Sequence, residues 1–480
     1  MRQVIPAQSL LGQSEISQIK ISNRSRDDIP NILRGLQYIY VDDKLQEQLF
    51  SLLIKLLNDK QRRLGRKGMD LWRIFVLATL RVNLNWDYDR LQHMVNEHRT
   101  IRQMLGHSIV DEDYHYPLQT LKDNVQLLTP EILDEINQAI VMSGHTLVKK
   151  RGENTLRARA DSFVVETNVH FPTDIGLLYD ALRKGIQLTR KACDIAGISE
   201  WRQSSYNIRC IKQACRKAQK SKRGGGKGKE ARISSAHQAY LDLAKQSLEK
   251  LEVTFKTIKG NILSVEIDPF LKHAHRQIDQ IDRRILKGET IPTAEKVYSL
   301  FEPHTEWVNK GKAGGKIELG LKVCIVEDQH QFILHHRVMQ KEVDSDIAED
   351  IVKASKKRFE NLTDCSFDKG FGSAANQAKL EKVLSTVTMP SKGKLSKERH
   401  KHEHSPEFIK ARHQHSAVES AINCLEQHGL DKCLDKGIVG FERYVAIAIV
   451  SRNIQRIGAI LRSKDRGLEN RRRRKLLKAA

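Results

Sequence analysis

The chain has 480 residues and carries 82 lysines and arginines against 59 aspartates and glutamates, a formal net charge of +23. This length allows more than one domain, and the excess of positive charge favours a polyanionic partner such as nucleic acid over a small anionic substrate. No run of 18 apolar residues predicts a membrane span, and residues 1–13 do not resemble a secretory signal. The seven cysteines form no CxxC pair, which is typical of a reduced cytosolic protein and not of a disulfide or zinc framework.

Apolar residues at helical spacing predict several short helices in residues 1–150. One face of leucines begins near Lys44, a second apolar face covers 71–82, and shorter helices follow. Basic residues on the exposed faces fit a helix-turn-helix-like DNA-binding unit. The same pattern fits an all-helical packing domain equally well, so the residues alone leave both roles open.

The first candidate functional residue is Asp161, at the start of the β-rich run Ser162–Val165. A carboxylate there projects from a strand that its apolar neighbours hold in place. Taken alone, Asp161 is more simply explained as a strand-end aspartate in a turn. Two further acids downstream, described below, change that interpretation.

Between residues 175 and 295 the alternating pattern disappears, and apolar spacings of three and four predict long helices that form a hairpin or small bundle. The stretch Lys220–Lys229, KSKRGGGKGK, lies between two of them. Its spacing does not match the phosphate-binding GxxxxGK[ST] motif, so a flexible basic loop that lies along DNA is the better interpretation. Lys227 and Lys229 are its candidate DNA contacts.

Strand character returns after residue 296. Strands are predicted at Val297–Phe301, Lys316–Glu327 and Gln331–Val338, followed by a helix over Asp344–Phe359. The second acid, Asp368, then follows a short strand and precedes a glycine turn and a helix. Functional groups favour the carboxyl ends of strands in α/β sheets, which makes Asp368 a candidate site residue.

After a fifth strand at Ser385–Met389 we expect a polar loop over Pro390–Ser405. The third acid, Glu419, lies on a predicted helix whose apolar stripe is formed by Val418, Ile422 and Leu425. A last apolar helix is predicted over 441–460, and residues 461–480 form a basic tail that contains the run RRRRK, a solvated charge run.

Two aspartates on strands and a glutamate on a later helix form the carboxylate arrangement of DDE enzymes. The segments ADSFVVETNVHFPTD, DKGFGS and HSAVESAINCLEQHGLDKC resemble the three acid-bearing blocks of transposases from bacterial insertion sequences. The resemblance covers roughly Trp72–Asn453. It implies an α/β fold: an RNase H-like mixed five-stranded sheet at 151–460, with a helical insertion at 175–295 and an all-α N-terminal DNA-binding domain at 1–150.

The order of the predicted elements is also that of an RNase H-like domain, in which the first and fourth strands are adjacent and Asp161 would lie beside Asp368. The resemblance implies that Asp161, Asp368 and Glu419 are catalytic and ligate two Mg²⁺ ions, for which Mn²⁺ can substitute. It further implies cleavage and strand transfer of double-stranded DNA at terminal inverted repeats, a homodimer or larger synaptic complex, and a cytoplasmic, nucleoid-associated location without membrane attachment.

Many such enzymes carry an Arg or Tyr one helical turn before the glutamate and a Lys two turns after it. Here those positions hold His415 and Glu426, and Lys369, Arg412 and His415 are the candidate phosphate contacts. Glu426 is an alternative third acid. Two other functions stay open: a domesticated DNA-binding regulator that need not keep the acidic triad, and a Mg²⁺-dependent nuclease without strand transfer.

Overall fold

The computed structural model describes residues 2–5, 12–57, 68–108, 114–149, 153–223, 225–258, 263–309, 317–393 and 395–479. The chain divides into two compact units. Unit 1 combines residues 1–168 with 308–480, and unit 2 consists of residues 169–307. The N-terminal helices and the acid-bearing segments therefore belong to the same unit.

Unit 1 is built on a mixed sheet that has seven strands among the described residues. In chain order they are β1 (Leu156–Thr167), β2 (Glu306–Asn309), β3 (Ile317–Asp328), β4 (Ile333–Met339), β5 (Leu362–Phe367), β6 (Thr386–Thr388) and β7 (Lys432–Cys433). The central order is β4-β3-β1-β5-β6, with β2 also on β3 and β7 also on β1. Strand β3 is antiparallel to β1 and β4, whereas β5 and β7 are parallel to β1 and β6 is parallel to β5.

Strand β1 pairs with β3 along most of its length. Glu166 pairs with Gly320 and Asp161 with Ile325. A Cβ atom on Gly320 would lie 2.0 Å from the carbonyl oxygen of Val165, so only glycine fits at this position. This contact fixes the register and with it the face of the sheet on which each β1 side chain lies.

The helices are α1 (Ile29–Val41), α2 (Asp43–Ile54), α3 (Leu71–Asn83), α4 (Tyr88–Glu97), α5 (Arg99–Met104), α6 (Leu118–Val125), α7 (Pro130–Val148), α8 (Asp174–Ala196), α9 (Ser204–Ser221), α10 (Lys229–Thr257), α11 (Ser264–Ile281), α12 (Asp344–Arg358), α13 (Ala374–Glu381), α14 (Lys397–Glu403), α15 (Pro406–His415), α16 (Ala417–Leu425) and α17 (Gly437–Ala479). In unit 1 a single hydrophobic core joins the N-terminal helices, the sheet and α17. A buried amide pair contributes to this junction, since Asn453 on α17 donates to Asn137 on α7 at 2.7 Å and to the Ile333 carbonyl at 2.9 Å.

Helix α17 is the one helix among the described residues that is long and apolar enough to cross a membrane. Its most apolar window is 72% buried inside the protein. Burial of this kind is characteristic of a core helix, so the length and composition of α17 are explained by packing against the sheet and α1.

Unit 2 is helical and has its own hydrophobic core, built from α8 to α11. Polar side chains tie its helices together. Tyr240 on α10 donates to the carbonyl of Ile175 on α8 at 3.1 Å, and the indole of Trp201 donates to Thr254 at 2.9 Å. Lys227 and Lys229 are both exposed: Lys229 is the first residue of α10, and Lys227 lies two residues before it.

The α/β class and the mixed sheet are confirmed, and four details of the prediction are wrong. The sheet has seven strands instead of five. Residues 297–301 form no strand, and β2 begins at Glu306 instead. Part of the expected loop over Pro390–Ser405 is helix α14, which begins at a Ser396 cap. The last helix does not end at residue 460, because α17 continues as helix through the basic tail.

Candidate active site

Asp161 and Asp368 lie at neighbouring positions on two adjacent parallel strands. In the pairing of β1 with β5, Ala160 is opposite Phe367, and each aspartate is the next residue along its strand direction. Asp368 directly follows Phe367, the last residue of β5, and caps the short helix Lys369–Phe371, where its carboxylate accepts from the Gly370 amide at 3.4 Å. The sheet thus brings together two acids that are far apart in the sequence.

The environment of Asp161 raises its pKa to about 7. Burial of the carboxyl group is the largest cause, and the negative charges of Asp368, Asp344 and Glu419 add to it. The Ser162 amide, which donates to the carboxyl group at 2.7 Å, acts in the opposite direction. Asp161 thus belongs to a cluster of four acids, because Asp368, Asp344 and Glu419 are close enough for their charges to act on its carboxyl group.

Glu419 reaches this cluster from helix α16. The helix buries Val418, Ala421 and Leu425 and leaves Glu419 exposed beside that apolar stripe, close enough to raise the pKa of Asp161. Glu426 lies in the π turn that follows the helix and is not among the principal charges on Asp161. The geometry therefore favours Glu419 over Glu426 as the third acid.

Asp344 is the functional candidate that the sequence did not reveal. It is the first residue of α12, where an acidic residue is adequately explained by the helix dipole. Its carboxylate accepts from the Ser162 hydroxyl at 2.5 Å and from the Lys322 ammonium at 3.2 Å. A Cβ on Gly370 would lie 3.0 Å from the same carboxylate. Asp344 thus bonds to the residue next to Asp161 and lies close to the turn that follows Asp368.

The family comparison matches residues 274–454 to the transposase DDE domain, less than half of the chain. The matched segment includes Asp344, Asp368 and Glu419. Residues 274–454 are therefore similar to a transposase DDE domain. Comparison with curated proteins and with solved structures returns no significant match. Asp161 lies outside the matched segment, and it is the pairing of β1 with β5 that places it beside Asp368 of the DDE domain.

The donor atoms of the DDE domain fit a magnesium ion. Mg²⁺ prefers carboxylate oxygens, keeps several waters, and is usually held by one or two carboxylates together with substrate phosphates. The four clustered acids have one cation within ion-pair distance, Lys322 on Asp344, among the described residues. In the part of the chain that the structure describes, no group of three His, Cys, Asp or Glu side chains is arranged to hold a metal ion by itself. One or two of these carboxylates could ligate Mg²⁺ only if waters and a substrate phosphate supplied the other ligands.

The other predicted contacts lie at different distances from this cluster. His415 is close to it, because the charges of Asp368 and Glu419 act on its imidazole, and its Nδ1 is 3.0 Å from the Ser366 hydroxyl. Burial lowers the pKa of His415, and those two negative charges oppose the shift. Lys369 and Arg412 are exposed on unit 1. Lys227 and Lys229 lie in unit 2, and their contact with DNA stays a prediction.

A cleft of about 480 Å³ lies beside the acids in unit 1. Strands β1, β5 and β6 and helix α15 line it, and its cations are Arg157, Arg159 and Lys410. Arg159 is also paired with the buried Glu327 at 3.0 Å. The cleft also contains the carboxylates of Asp364 and Glu407. Because Arg157 and Arg159 lie on β1, the strand that carries Asp161, the cleft is a candidate path for a DNA backbone.

The two candidates for the third acid can be separated by a pair of matched variants. Glu419→Gln is expected to lower the rate of DNA cleavage by about a hundredfold or more, because it removes a charge that interacts with Asp161. Glu426→Gln is expected to keep the rate within about threefold of wild type. Single-turnover cleavage of a labelled duplex measures both. The reverse ranking would identify Glu426 as the third acid.

The role of Asp344 gives a second prediction. Asp344→Ala leaves Lys322 without its carboxylate partner and removes the acceptor of the Ser162 hydroxyl, so the residue next to Asp161 loses a contact that positions it. We expect the cleavage rate to fall about 10- to 100-fold with little change in DNA affinity. Asp344→Asn keeps an acceptor for Ser162 and is expected to lose less. Equal loss in both variants would show that the charge of Asp344 matters, not its positioning contact.

Proposed function

We propose that this protein is the transposase of a bacterial insertion sequence, which binds the terminal inverted repeats of its element and catalyses DNA cleavage and strand transfer. The observation that carries the proposal is the alignment of Asp161 with Asp368 on β1 and β5, with Glu419 acting on the same carboxyl group. The transposase DDE domain match supports it. The net charge of +23 supports a DNA substrate.

In the proposed mechanism, Asp161, Asp368 and Glu419 hold divalent metal. When bound, Mg²⁺ supplies activation of the attacking oxygen and stabilisation of the leaving 3′ oxygen in an in-line displacement. The chain's own contribution is position: adjacent strands fix the two aspartates, and α16 brings the glutamate beside them. Arg157, Arg159 and Lys410 are placed to hold the phosphate backbone in the cleft. No covalent enzyme intermediate is needed, since water and then the freed 3′-OH are the attacking groups.

The rest of the proposal concerns DNA binding and assembly. We propose that the N-terminal helices take part in binding the inverted repeats, and that two or more copies act together in a synaptic complex in the cytoplasm. Basic side chains on those helices support the first point. The proposal that two or more copies act together rests on the need to cut two DNA ends in one complex, which requires more than one active site.

Cleavage of a labelled duplex that carries the repeats flanking the coding region tests the proposal. Wild-type protein with Mg²⁺ or Mn²⁺ should nick at the repeat end, and Asp368→Ala should bind the duplex without cutting it. A pre-cut duplex with a free 3′-OH should then be joined to a target plasmid. Cutting without joining would identify a nuclease that lacks strand transfer. Binding without cutting by wild type would identify a DNA-binding regulator.

A further inference from the structure

The C-terminal part of α17 is a helix that continues past the body of unit 1. The whole of α17 has 43 residues, which at 1.5 Å per residue is roughly 65 Å of helix. Its residues are largely buried as far as Ile457, and from Ser463 onward most of them are exposed. The helix therefore has an anchored part and an exposed part.

The last contacts between α17 and the rest of unit 1 involve the N-terminal segment. Arg462 donates to the carbonyl oxygens of Ser22 at 3.1 Å and Ser25 at 2.8 Å. Asp465 pairs with Arg34 at 3.2 Å, and Glu469 accepts from Asn23 at 3.0 Å. These contacts fix the direction in which the helix leaves the body.

Four consecutive arginines follow this anchor. Arg471 to Arg474 are exposed, and none of them makes a hydrogen bond or ion pair with another described residue. Because successive residues in an α-helix are about 100° apart, four in a row place positive charge around the whole circumference. A helix that packed on a protein surface would instead have one apolar and one charged face.

We propose that the arginine arm, Arg471–Arg474 of α17, inserts into the major groove of duplex DNA and neutralises phosphates of both strands. An α-helix with side chains is roughly 10–12 Å wide, and the major groove of B-DNA is about 12 Å wide, with a phosphate backbone on either side. A helix that is cationic all round matches those two anionic walls. DNA as the partner rests on the proposed function.

A second copy of the chain is the main competing partner, because Leu468 and Leu476 on the same helix are 52% and 73% exposed. Pairing two such helices would bring eight arginines together, since each helix contributes four. Repulsion between like charges opposes that arrangement. Charge complementarity therefore favours DNA, and self-association becomes an outcome of the test.

The test measures how the affinity of the full-length protein for a duplex of arbitrary sequence depends on salt concentration. Each phosphate contact that is lost lowers the slope of log K against log [KCl] by about 0.9. With all four arginines changed to glutamine, Arg471→Gln to Arg474→Gln, the slope should fall by about 3–4. Glutamine is a good helix former, so the arm stays helical. The matched control changes the same four residues to lysine, which keeps the charge and should keep the slope.

A duplex RNA of the same length tests the groove. The major groove of A-form RNA is deep and too narrow for side chains to read, so the glutamine variant should lose much less affinity for RNA than for DNA. Equal losses on both would overturn groove insertion. An unchanged slope at an unchanged melting temperature would overturn the arm as a DNA contact altogether. A loss of oligomer mass on introducing Leu468→Gln and Leu476→Gln, measured by sedimentation, would assign the arm to self-association instead.

Failure of the arm and failure of the proposed function have different signatures. If wild type cleaves the terminal repeat and the glutamine variant keeps the salt slope, the arm does not contact DNA and the transposase proposal is retained. If the slope falls as expected while wild type never cleaves, the arm contacts DNA and the transposase proposal is wrong.

Discussion

Asp161→Asn is expected to abolish DNA cleavage and, without divalent ions, to make the folded protein more stable at pH 8. Both effects have one origin. Burial of the Asp161 carboxyl group is the main cause that raises its pKa to about 7, and the negative charges of Asp368, Asp344 and Glu419 add to the effect. An ionised Asp161 is therefore costly to the fold unless a cation compensates it. The same charge is the one that would hold the metal.

The direction of the pH effect follows from the shift. The carboxyl group has an ordinary pKa of 3.8 and a folded-state pKa of about 7, so between these values the folded protein binds a proton that the unfolded chain has released. The free energy of unfolding therefore falls as the pH rises from about 4 to 7, and the loss is complete above 7. At about 1.4 kcal/mol per pH unit, the loss is on the order of 4 kcal/mol at most. Asp161→Asn has no carboxyl proton to release, so its free energy of unfolding does not show this loss.

Urea denaturation at pH 4.5, 6 and 8 with EDTA present measures this difference. The free energy of unfolding of Asp161→Asn should increase relative to that of wild type as the pH rises. Asp364→Asn on the adjacent strand β5 controls for the loss of an aspartate. Added Mg²⁺ should raise the unfolding midpoint of wild type and leave Asp161→Asn unchanged, because only a bound ion stabilises the folded state. A variant that is less stable than wild type at pH 8 would contradict the charge cluster.

The effect of Asp161→Asn on catalysis is measured with the labelled repeat duplex. We expect Asp161→Asn to lose at least a thousandfold in cleavage rate while its affinity for the duplex stays within about threefold of wild type. Retention of cleavage would show that Asp161 has no catalytic role, whatever its effect on stability.

Much of the site's scaffold was predictable from the sequence, because local patterns define it. The β-rich run after Asp161, the short apolar strand before Asp368 and the apolar stripe beside Glu419 each lie within a few residues of the acid. The adjacency of β1 and β5, which the predicted order of elements implies, is present in the structure. Whether these three acids carry catalysis stays a prediction.

The contribution of Asp344 was not predictable in the same way. In the sequence it is one of two acids in the first turn of α12, with no local feature beyond that position. Its importance comes from long-range contacts, with Ser162 on β1 and Lys322 on β3. Such contacts depend on the register of strands that are more than a hundred residues apart, which periodicity does not encode.

Two wrong predictions have a related cause. Helix α14 has no apolar stripe, and it is held by polar contacts: Arg399 donates to the Met389 carbonyl at 2.7 Å and to the Ser391 hydroxyl at 2.8 Å. The β-rich composition of residues 297–301 did not give a strand, because β propensity depends on an available partner. In the structure the pairing with β3 is made by β2, a few residues later.

The junction of the N-terminal helices with α17 leads to the second large effect. Helices α1 and α17 cross with their backbones in contact at two glycines. A Cβ on Gly458 would lie 1.7 Å from the carbonyl oxygen of Asn31, and a Cβ on Gly35 would lie 2.2 Å from that of Ile454. No rotamer change can relieve either clash, because the obstructing atoms belong to the backbone. The whole of unit 1, including its acids, thus depends on this crossing.

Gly458→Ala is expected to destabilise the protein by at least about 3 kcal/mol, because the helices must separate to admit one methyl group. Gly467→Ala is a matched control on the same helix, since nothing lies within 4 Å of its added Cβ. That change should stabilise the protein slightly, by up to about 1 kcal/mol, through helix propensity. Thermal melting of both variants measures the contrast. If both alanines were tolerated equally, the crossing would not hold α1 against α17. The N-terminal helices could then move independently of the acid-bearing sheet, as a separable DNA-binding domain would require.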